Sequence, residues 1–254
     1  MNLINKNKTV IKEFLSGGKY LLNRPALPSK RFVIFGRGRS GSTLLVSLLN
    51  SHEEICCDGE ILHDRVSWPR LYVDLCSSRC QLPIYGFKLL SYQLRDIQPI
   101  INPKKFLFDL HLNGYKIIYL SRQNLLDHAL SNINARRQNK FHHRAGEKKQ
   151  KSQPISVSLE EVIHWIEHSQ SLEKYEKSIL KDLPHLSLTY EDHLLDSNSH
   201  QQTANIIFDF LEIPPQQIST NLVKIVPRNL QKLVENYESL TEKLKTTKYS
   251  PYLI

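Results

Sequence analysis

Residues 36 to 43 read GRGRSGST: three glycines, two arginines and three hydroxyls in eight positions. Gly36, Gly38 and Gly41 let the backbone turn with positive φ and come close to a ligand. Arg37 and Arg39 bring full positive charge, and Ser40, Ser42 and Thr43 bring hydroxyl donors. An apolar run, RFVIFG, precedes the stretch and another, TLLVSLL, follows it. A strand, a tight turn and a helix in that order aim the N–H groups of Ser40 to Leu44 into one concavity. The helix N-terminus adds an effective charge of roughly +0.5 there. Everything in the turn binds a tetrahedral anion. The phosphate-loop pattern G-x-x-x-x-G-K-[ST] fits from Gly36 to Gly41, but Ser42 stands where its lysine belongs. The cation sits at Arg39 instead. For magnesium, the nearest candidate aspartates are Asp109, in a predicted helix, and Asp192, in a sheet-edge motif.

The elements that must position this loop alternate along the chain. YGFKLL, YKIIYLS and HLSLTYE join RFVIFG as strands. GSTLLVSLLNS, PKKFLFDLHLNG closed by Gly114, the segment from Leu125 to Gln138, and SLEEVIHWIEHSQSLEKYEKSIL read as helices. In the last of these Ser158 and Glu161 form a capping box, and Leu159, Val162, Ile163 and Ile166 share a face. The alternation predicts an α/β fold: a P-loop-type parallel sheet flanked by helices on both faces, with a helical C-terminal part. Residues 1–254 are expected to form one domain, with 1–30 as an N-terminal extension and 136–157 as a flexible basic loop. That loop reads as a solvated linker or as a mobile cover over an anionic ligand.

Lys and Arg number 34 against 25 Asp and Glu, a net charge of +9 that favours anionic partners without choosing among them. No stretch approaches ~20 continuous apolar residues, so neither a signal peptide nor a membrane span is expected, and the location is expected to be cytoplasmic. Cysteines at 56, 57, 76 and 80 make a poor disulfide framework. A zinc site completed by His52 or His63 fits no standard spacing, so free, mostly buried thiols are expected.

RGRSGSTLL resembles the 5′-phosphosulfate loop of sulfotransferases that use 3′-phosphoadenosine 5′-phosphosulfate (PAPS). In the cytosolic branch that loop reads P-K-S-G-T-T-W. Here Gly38 replaces the proline, Arg39 the lysine, Ser42 a threonine and Leu44 the tryptophan. Arg-Ser-Gly-Ser-Thr is similar to the bacterial carbohydrate enzymes of the trehalose and Nod-factor type. The resemblance implies that Arg37, Gly38, Arg39, Ser40, Gly41, Ser42, Thr43 and Leu44 bind the donor. YKIIYLSRQNLLDHALSNINARRQ resembles the second family motif, which implies a 3′-phosphate site at Arg122 and Ser131. Their spacing of nine is one longer than in the cytosolic branch. SHEEICCDGEILHDR resembles the stretch that carries a catalytic glutamate, here Glu60. Asp58, His63 and His52 are its rivals, and a surface pairing of Glu60 with Arg65 is the bland alternative. Lys88 in GFKLL either contacts the sulfonate or acceptor or merely snorkels from a strand edge. Lys224 and Arg228 match a basic tail that closes over the nucleotide. The resemblance covers roughly residues 31 to 195.

It implies sulfuryl transfer from PAPS to a hydroxyl on a carbohydrate or small metabolite, with Glu60 as base, Arg39 at the leaving phosphate and no metal. A sulfuryl group is less anionic than a γ-phosphoryl, so arginine and backbone donors can suffice. Two other readings compete. A P-loop kinase requires magnesium and ATP. A nucleic-acid or polyanion binder shows a steep salt dependence. Phe141 is the one aromatic in the basic run, so stacking platforms are not evident and no nucleic-acid partner is expected.

Overall fold

The computed structural model describes residue 18 and residues 25–137, 154–220 and 234–253. Five strands form one sheet: β1 (Lys30–Gly36), β2 (Ile55–Asp58), β3 (Ile84–Leu90), β4 (Tyr115–Ser121) and β5 (His185–Thr189). Their order is β2-β3-β1-β4-β5, and every pairing is parallel. The helices are α1 (Ser42–Leu49), α2 (Pro69–Ser77), α3 (Pro103–Leu112), α4 (Leu125–Arg137), α5 (Leu159–Leu180), α6 (Tyr190–His193), α7 (His200–Leu211) and α8 (Tyr237–Lys245). A π-helical turn, Gln93–Ile97, leaves β3. Among the described residues no helix is long and apolar enough to cross a membrane.

The central strands show why the sheet is covered on both sides. Side chains alternate across a strand, so a continuous apolar run buries both faces. Phe32, Ile34, Ile118 and Leu120 pack with Leu45 and Leu49 of α1 and Ile207 and Phe208 of α7. Val33, Phe35, Ile117 and Tyr119 face the other way, against Val73 of α2, Leu107 and Leu110 of α3, and Ile179 and Leu180 of α5. A third cluster lies apart from the sheet, where Leu130 and Ile133 of α4 meet Val162 and Ile166 of α5 and Leu240 and Leu244 of α8. The predicted α/β architecture is therefore present, including helices in the C-terminal part.

Some local expectations change. HLSLTYE is strand only to Thr189, because the Thr189 side chain accepts from Asp192 N–H and starts α6. β2 and α2 carry no clear periodic signal. Half of the predicted capping box forms: Ser158 accepts from Glu161 N–H at 3.1 Å, while the Glu161 carboxylate pairs with Arg137. The two ends of the basic stretch are built into the fold. Arg136 and Arg137 close α4, and Ile155 bridges Val234 while Val157 is buried. Residues 138–153 lie outside the described residues, as does Gln138 at the expected end of α4.

Gly86 shows how tightly β3 meets β1. A Cβ there would stand 2.1 Å from Cζ of Phe32, whose ring is fully buried. Gly86→Ala is expected to lower the unfolding free energy in urea by about 1–3 kcal/mol, the usual range for overpacking. Adding Phe32→Leu should restore part of that loss.

Candidate active site

The loop after β1 turns through two left-handed residues, Arg39 (φ 63) and Gly41 (φ 85). Gly38 is not one of them, so the sequence expectation of a left-handed turn there is corrected: the arginine takes that conformation. Gly41 is both the N-cap of α1 and a point of close approach, since a Cβ would stand 2.7 Å from the Tyr190 ring. No side chain caps α1, so its first-turn N–H groups remain directed at whatever the loop holds. Ser40 and Ser42 are buried beside it.

Arg37 corrects the sequence reading. Its side chain turns away from the concavity and is 1% exposed. It donates to Ser169 O at 2.9 Å and pairs with Glu173 at 3.6 Å and Glu176 at 3.4 Å, all on α5. Glu176 is fully buried and accepts from the Ser91 hydroxyl at 2.7 Å and the Tyr119 hydroxyl at 2.9 Å. Burial pushes the Glu176 carboxyl up, and the Arg37 charge pulls against that shift. A buried guanidinium is stable only when paired, and α5 supplies two carboxylates on one face. Arg37 therefore anchors the loop from beneath through its ion pairs, while its Nε and NH2 make no hydrogen bond.

His128 of α4 supports the loop from the side. Its Nε2 lies 2.7 Å from Gly38 O and its Nδ1 lies 2.7 Å from the Ser169 hydroxyl. A carbonyl only accepts, so Nε2 carries a hydrogen; the Ser169 hydroxyl also lies 2.8 Å from Trp165 O, to which it donates, and the Asn132 amide lies 3.3 Å from Nδ1 as a donor. Burial, followed by the charge of Arg37, lowers the imidazole to about 3. It is a neutral strut.

Arg39 and Arg122 come together, as the sequence implied. Arg122 NH1 donates to Arg39 O at 3.1 Å, and Arg39 Nε donates to the Ser131 hydroxyl at 3.1 Å. The extra residue in the Arg122–Ser131 spacing has not displaced the serine. Burial lowers Arg39 to about 10, with the charge of Arg122 as the next cause. Arg122 itself is braced on three sides. Asp127 lies 3.2 Å from NH2, the Tyr190 ring lies 4.7 Å below the guanidinium, and Glu191 lies 3.9 Å from Nε. Glu191 also accepts from the N–H groups of Gln123 and Asn124 at 3.0 Å each, which fixes the turn between β4 and α4. Ser40 Oγ and Arg122 Nε are buried without a hydrogen-bond partner. Buried polar atoms of this kind are costly unless a ligand satisfies them.

A second constellation adjoins the loop. Lys88 Nζ lies 2.8 Å from Glu60 Oε1 and 3.0 Å from Thr43 Oγ1. Gln93 Nε2 donates to Glu60 Oε2 at 2.8 Å, and the Tyr92 hydroxyl lies 3.5 Å from the same oxygen. Lys88 is buried in an interior strand, so it does not snorkel from an edge, and Glu60 is paired with it rather than with Arg65. The rivals of Glu60 lie elsewhere. Asp58 accepts from the Tyr85 hydroxyl, His63 is exposed beside Asp64, and His52 is buried against Phe208 and Pro214. Leu44 is partly buried against the core of the α1 face. Lys224 and Arg228 lie outside the described residues.

Neither candidate magnesium ligand reaches this site. Asp109 pairs with Lys105 on the surface of α3, and Asp192 accepts from the Thr189 hydroxyl in α6 rather than in a strand. Among the described residues no group of three or more His, Cys, Asp or Glu could hold a metal, and all four cysteines are free. Tyr190, Glu191, His128 and Glu176 were not singled out in the sequence. Glu191 had one weak signal, its place as the last residue of the predicted strand HLSLTYE.

A glycine-turned loop opening at the carboxyl edge of a parallel sheet is the place where α/β proteins hold ligands. The sequence comparison narrows this. A model of the sulfotransferase domain matches residues 29–253, and the chain belongs to that family. Sulfuryl transfer is the family's reaction class. No curated protein matches the sequence. A solved sulfotransferase from Alicyclobacillus acidocaldarius is similar over 89% of this chain and 93% of that chain, at 14% identity and a TM-score of 0.49.

Two stability outcomes follow from this geometry. Arg37→Met strands Glu176 in the interior and should lower the unfolding free energy by about 3–5 kcal/mol in denaturant titration. His128 takes up a proton on unfolding, since an unfolded imidazole titrates near 6.5. Its contribution is therefore complete above about pH 6.5 and shrinks as pH falls toward 3, by up to about 1.4 kcal/mol per pH unit. The gap between wild type and His128→Gln should narrow from pH 7 to pH 4.5. Parallel pH curves would contradict the assignment of a neutral imidazole.

Proposed function

We propose that this protein transfers a sulfuryl group from PAPS to a hydroxyl of a carbohydrate or small metabolite. The observation that carries the reading is the pairing of Arg39 with Arg122 beside Ser131, where the buried Ser40 hydroxyl and Arg122 Nε make no hydrogen bond. Two clustered guanidiniums repel one another, and an anion shared between them relieves that repulsion. PAPS carries a phosphate at each end of its ribose, which suits a site with two cationic poles.

When bound, PAPS supplies an activated sulfuryl group on a phosphate leaving group. Arg39 and the first-turn N–H groups of α1 hold the 5′ end and take up the negative charge that grows on the leaving oxygen. Arg122, kept in place by Asp127, Tyr190 and Glu191, binds the 3′-phosphate through its planar fork, with Ser131 beside it. Glu60 accepts the proton of the attacking hydroxyl. Lys88 bridges Thr43 of the loop and Glu60, so it fixes the distance between donor site and base. Gln93 and Tyr92 hold the second Glu60 oxygen and aim the first.

The test is formation of 3′-phosphoadenosine 5′-phosphate (PAP) from labelled PAPS in the presence of pooled hydroxyl acceptors, with chelator and with added magnesium. Equal rates in both conditions are expected. Arg39→Ala should lower kcat by about 10²–10³-fold, as loss of a transition-state donor does. Glu60→Gln should lower it by about 10²–10⁴-fold. Turnover near the wild-type rate in either variant would contradict the assigned role, and ATP turnover that needs magnesium would favour the kinase reading.

A further inference from the structure

The amino-terminal half of α5 does not pack on the sheet. Glu173, Glu176, Ile179 and Leu180 engage the loop and the sheet from below. Ser169 reaches the flank of the loop through Arg37 and His128. His168 adjoins Ser169 and Trp165 lies one turn further along α5, their ring centroids 5.4 Å apart. His164 flanks Trp165 at 5.9 Å, and the Arg136 guanidinium of α4 lies 4.5 Å over the indole.

The exit of β3 approaches this wall from the other side. Tyr92 and Gln93 hold Glu60, and Arg95, two residues on, lies 6.0 Å from the Tyr175 ring on α5. Glu60 is thus tied, through Tyr92 and Gln93, to the segment that carries Arg95 toward α5, the helix of His168 and Trp165. None of the rim residues Arg95, His168, Trp165 and Arg136 is needed for the donor phosphates, which have Arg39, Arg122 and the N-terminus of α1.

Of the rim's two guanidiniums, Arg95 is matched by an anion and Arg136 is not. Asp96 is committed to Arg95 at 2.8 Å, Glu161 to Arg137, Glu60 to Lys88, and Glu167 to Tyr249 and Lys248. Among the described residues no carboxylate lies within ion-pair distance of Arg136, His164 or His168. Burial lowers the His168 imidazole, and the charges of Arg95, His164 and Arg136 lower it further, with Asp96 as the opposing group. The Arg136 guanidinium over the indole is therefore available to an anionic ligand, and the His168 imidazole beside it can donate a hydrogen bond. An indole face with a guanidinium over it also suits the flat apolar side of a sugar ring.

We infer that the acceptor is itself an anion: a hydroxyl compound, most simply a sugar, bearing a carboxylate, phosphate or sulfate that Arg136 and His168 hold while Glu60 faces the reacting hydroxyl. This inference rests on the proposed donor site and goes beyond it by naming the chemical class of the acceptor. Arg136 and His168 determine specificity and take no part in the chemical step.

The experiment is calorimetric titration of the protein–PAP complex with matched acceptor pairs: a glucuronate-containing disaccharide against its carboxyl-reduced form, glucose 6-phosphate against glucose, and galactose 6-sulfate against galactose. The acidic member of at least one pair should bind tenfold or more tightly than its neutral partner. Arg136→Ala and His168→Gln should each erase most of that preference, and Arg136→Lys should retain it. Equal affinity within every pair, including no binding of any, overturns the inference, as does a preference that neither variant alters. PAP titration of the same samples reads the donor site separately. Intact PAP binding with no acidic preference sinks this inference alone, whereas failure to bind PAP sinks the donor reading.

Discussion

Two guanidiniums that repel each other are held side by side at the carboxyl edge of the sheet, and much of the surrounding structure serves to keep them there. Arg39 occupies a left-handed backbone conformation that a non-glycine residue rarely adopts. Its carbonyl accepts from Arg122 and its side chain donates to Ser131, so backbone and side chain both tie it to the turn after β4. Asp127, Tyr190 and Glu191 brace Arg122 from elements that follow β4 and β5. Like charges this close oppose one another, and Asp127 and Glu191 offset the charge of Arg122.

The neighbouring arginine, Arg37, shows how strongly surroundings decide what a residue does. It is two positions from Arg39 and identical in type, yet it faces Glu173 and Glu176 beneath the loop and contributes anchorage instead of ligand charge. The neutral His128 completes the same scaffold by bridging Gly38 and Ser169. Above it, Lys88 links Thr43 to Glu60, so the anion loop and the carboxylate belong to one hydrogen-bonded unit. Rigidity at this scale is what positioning catalysis requires, since a small misplacement of reacting groups is costly.

The parts of this arrangement that were legible in the sequence are those written locally. GRGRSGST announces a turn between strand and helix, and Arg122 follows a recognisable strand, so the two arginines that the fold brings together could be named in advance. The apolar run RFVIFG predicted a strand buried on both faces, and Phe32 and Val33 do enter opposite cores. The division of labour between Arg37 and Arg39 was not legible, because it depends on α5, whose Glu176 is 139 positions away from Arg37 in sequence. Glu191 and Tyr190 were hidden for the same reason: their roles exist only after β5 pairs with β4. β2 was obscure because ICCD is four residues long, too short for a period to show.

The central claim is that one nucleotide bridges both cationic poles, and comparing PAP with adenosine 5′-phosphate by calorimetry tests it most directly. The two ligands differ only in the 3′-phosphate. The account predicts that PAP binds at least a hundredfold more tightly to the wild-type protein, and that Arg122→Ala removes most of that difference while leaving adenosine 5′-phosphate affinity nearly unchanged. Equal affinity of the wild-type protein for the two nucleotides would contradict it.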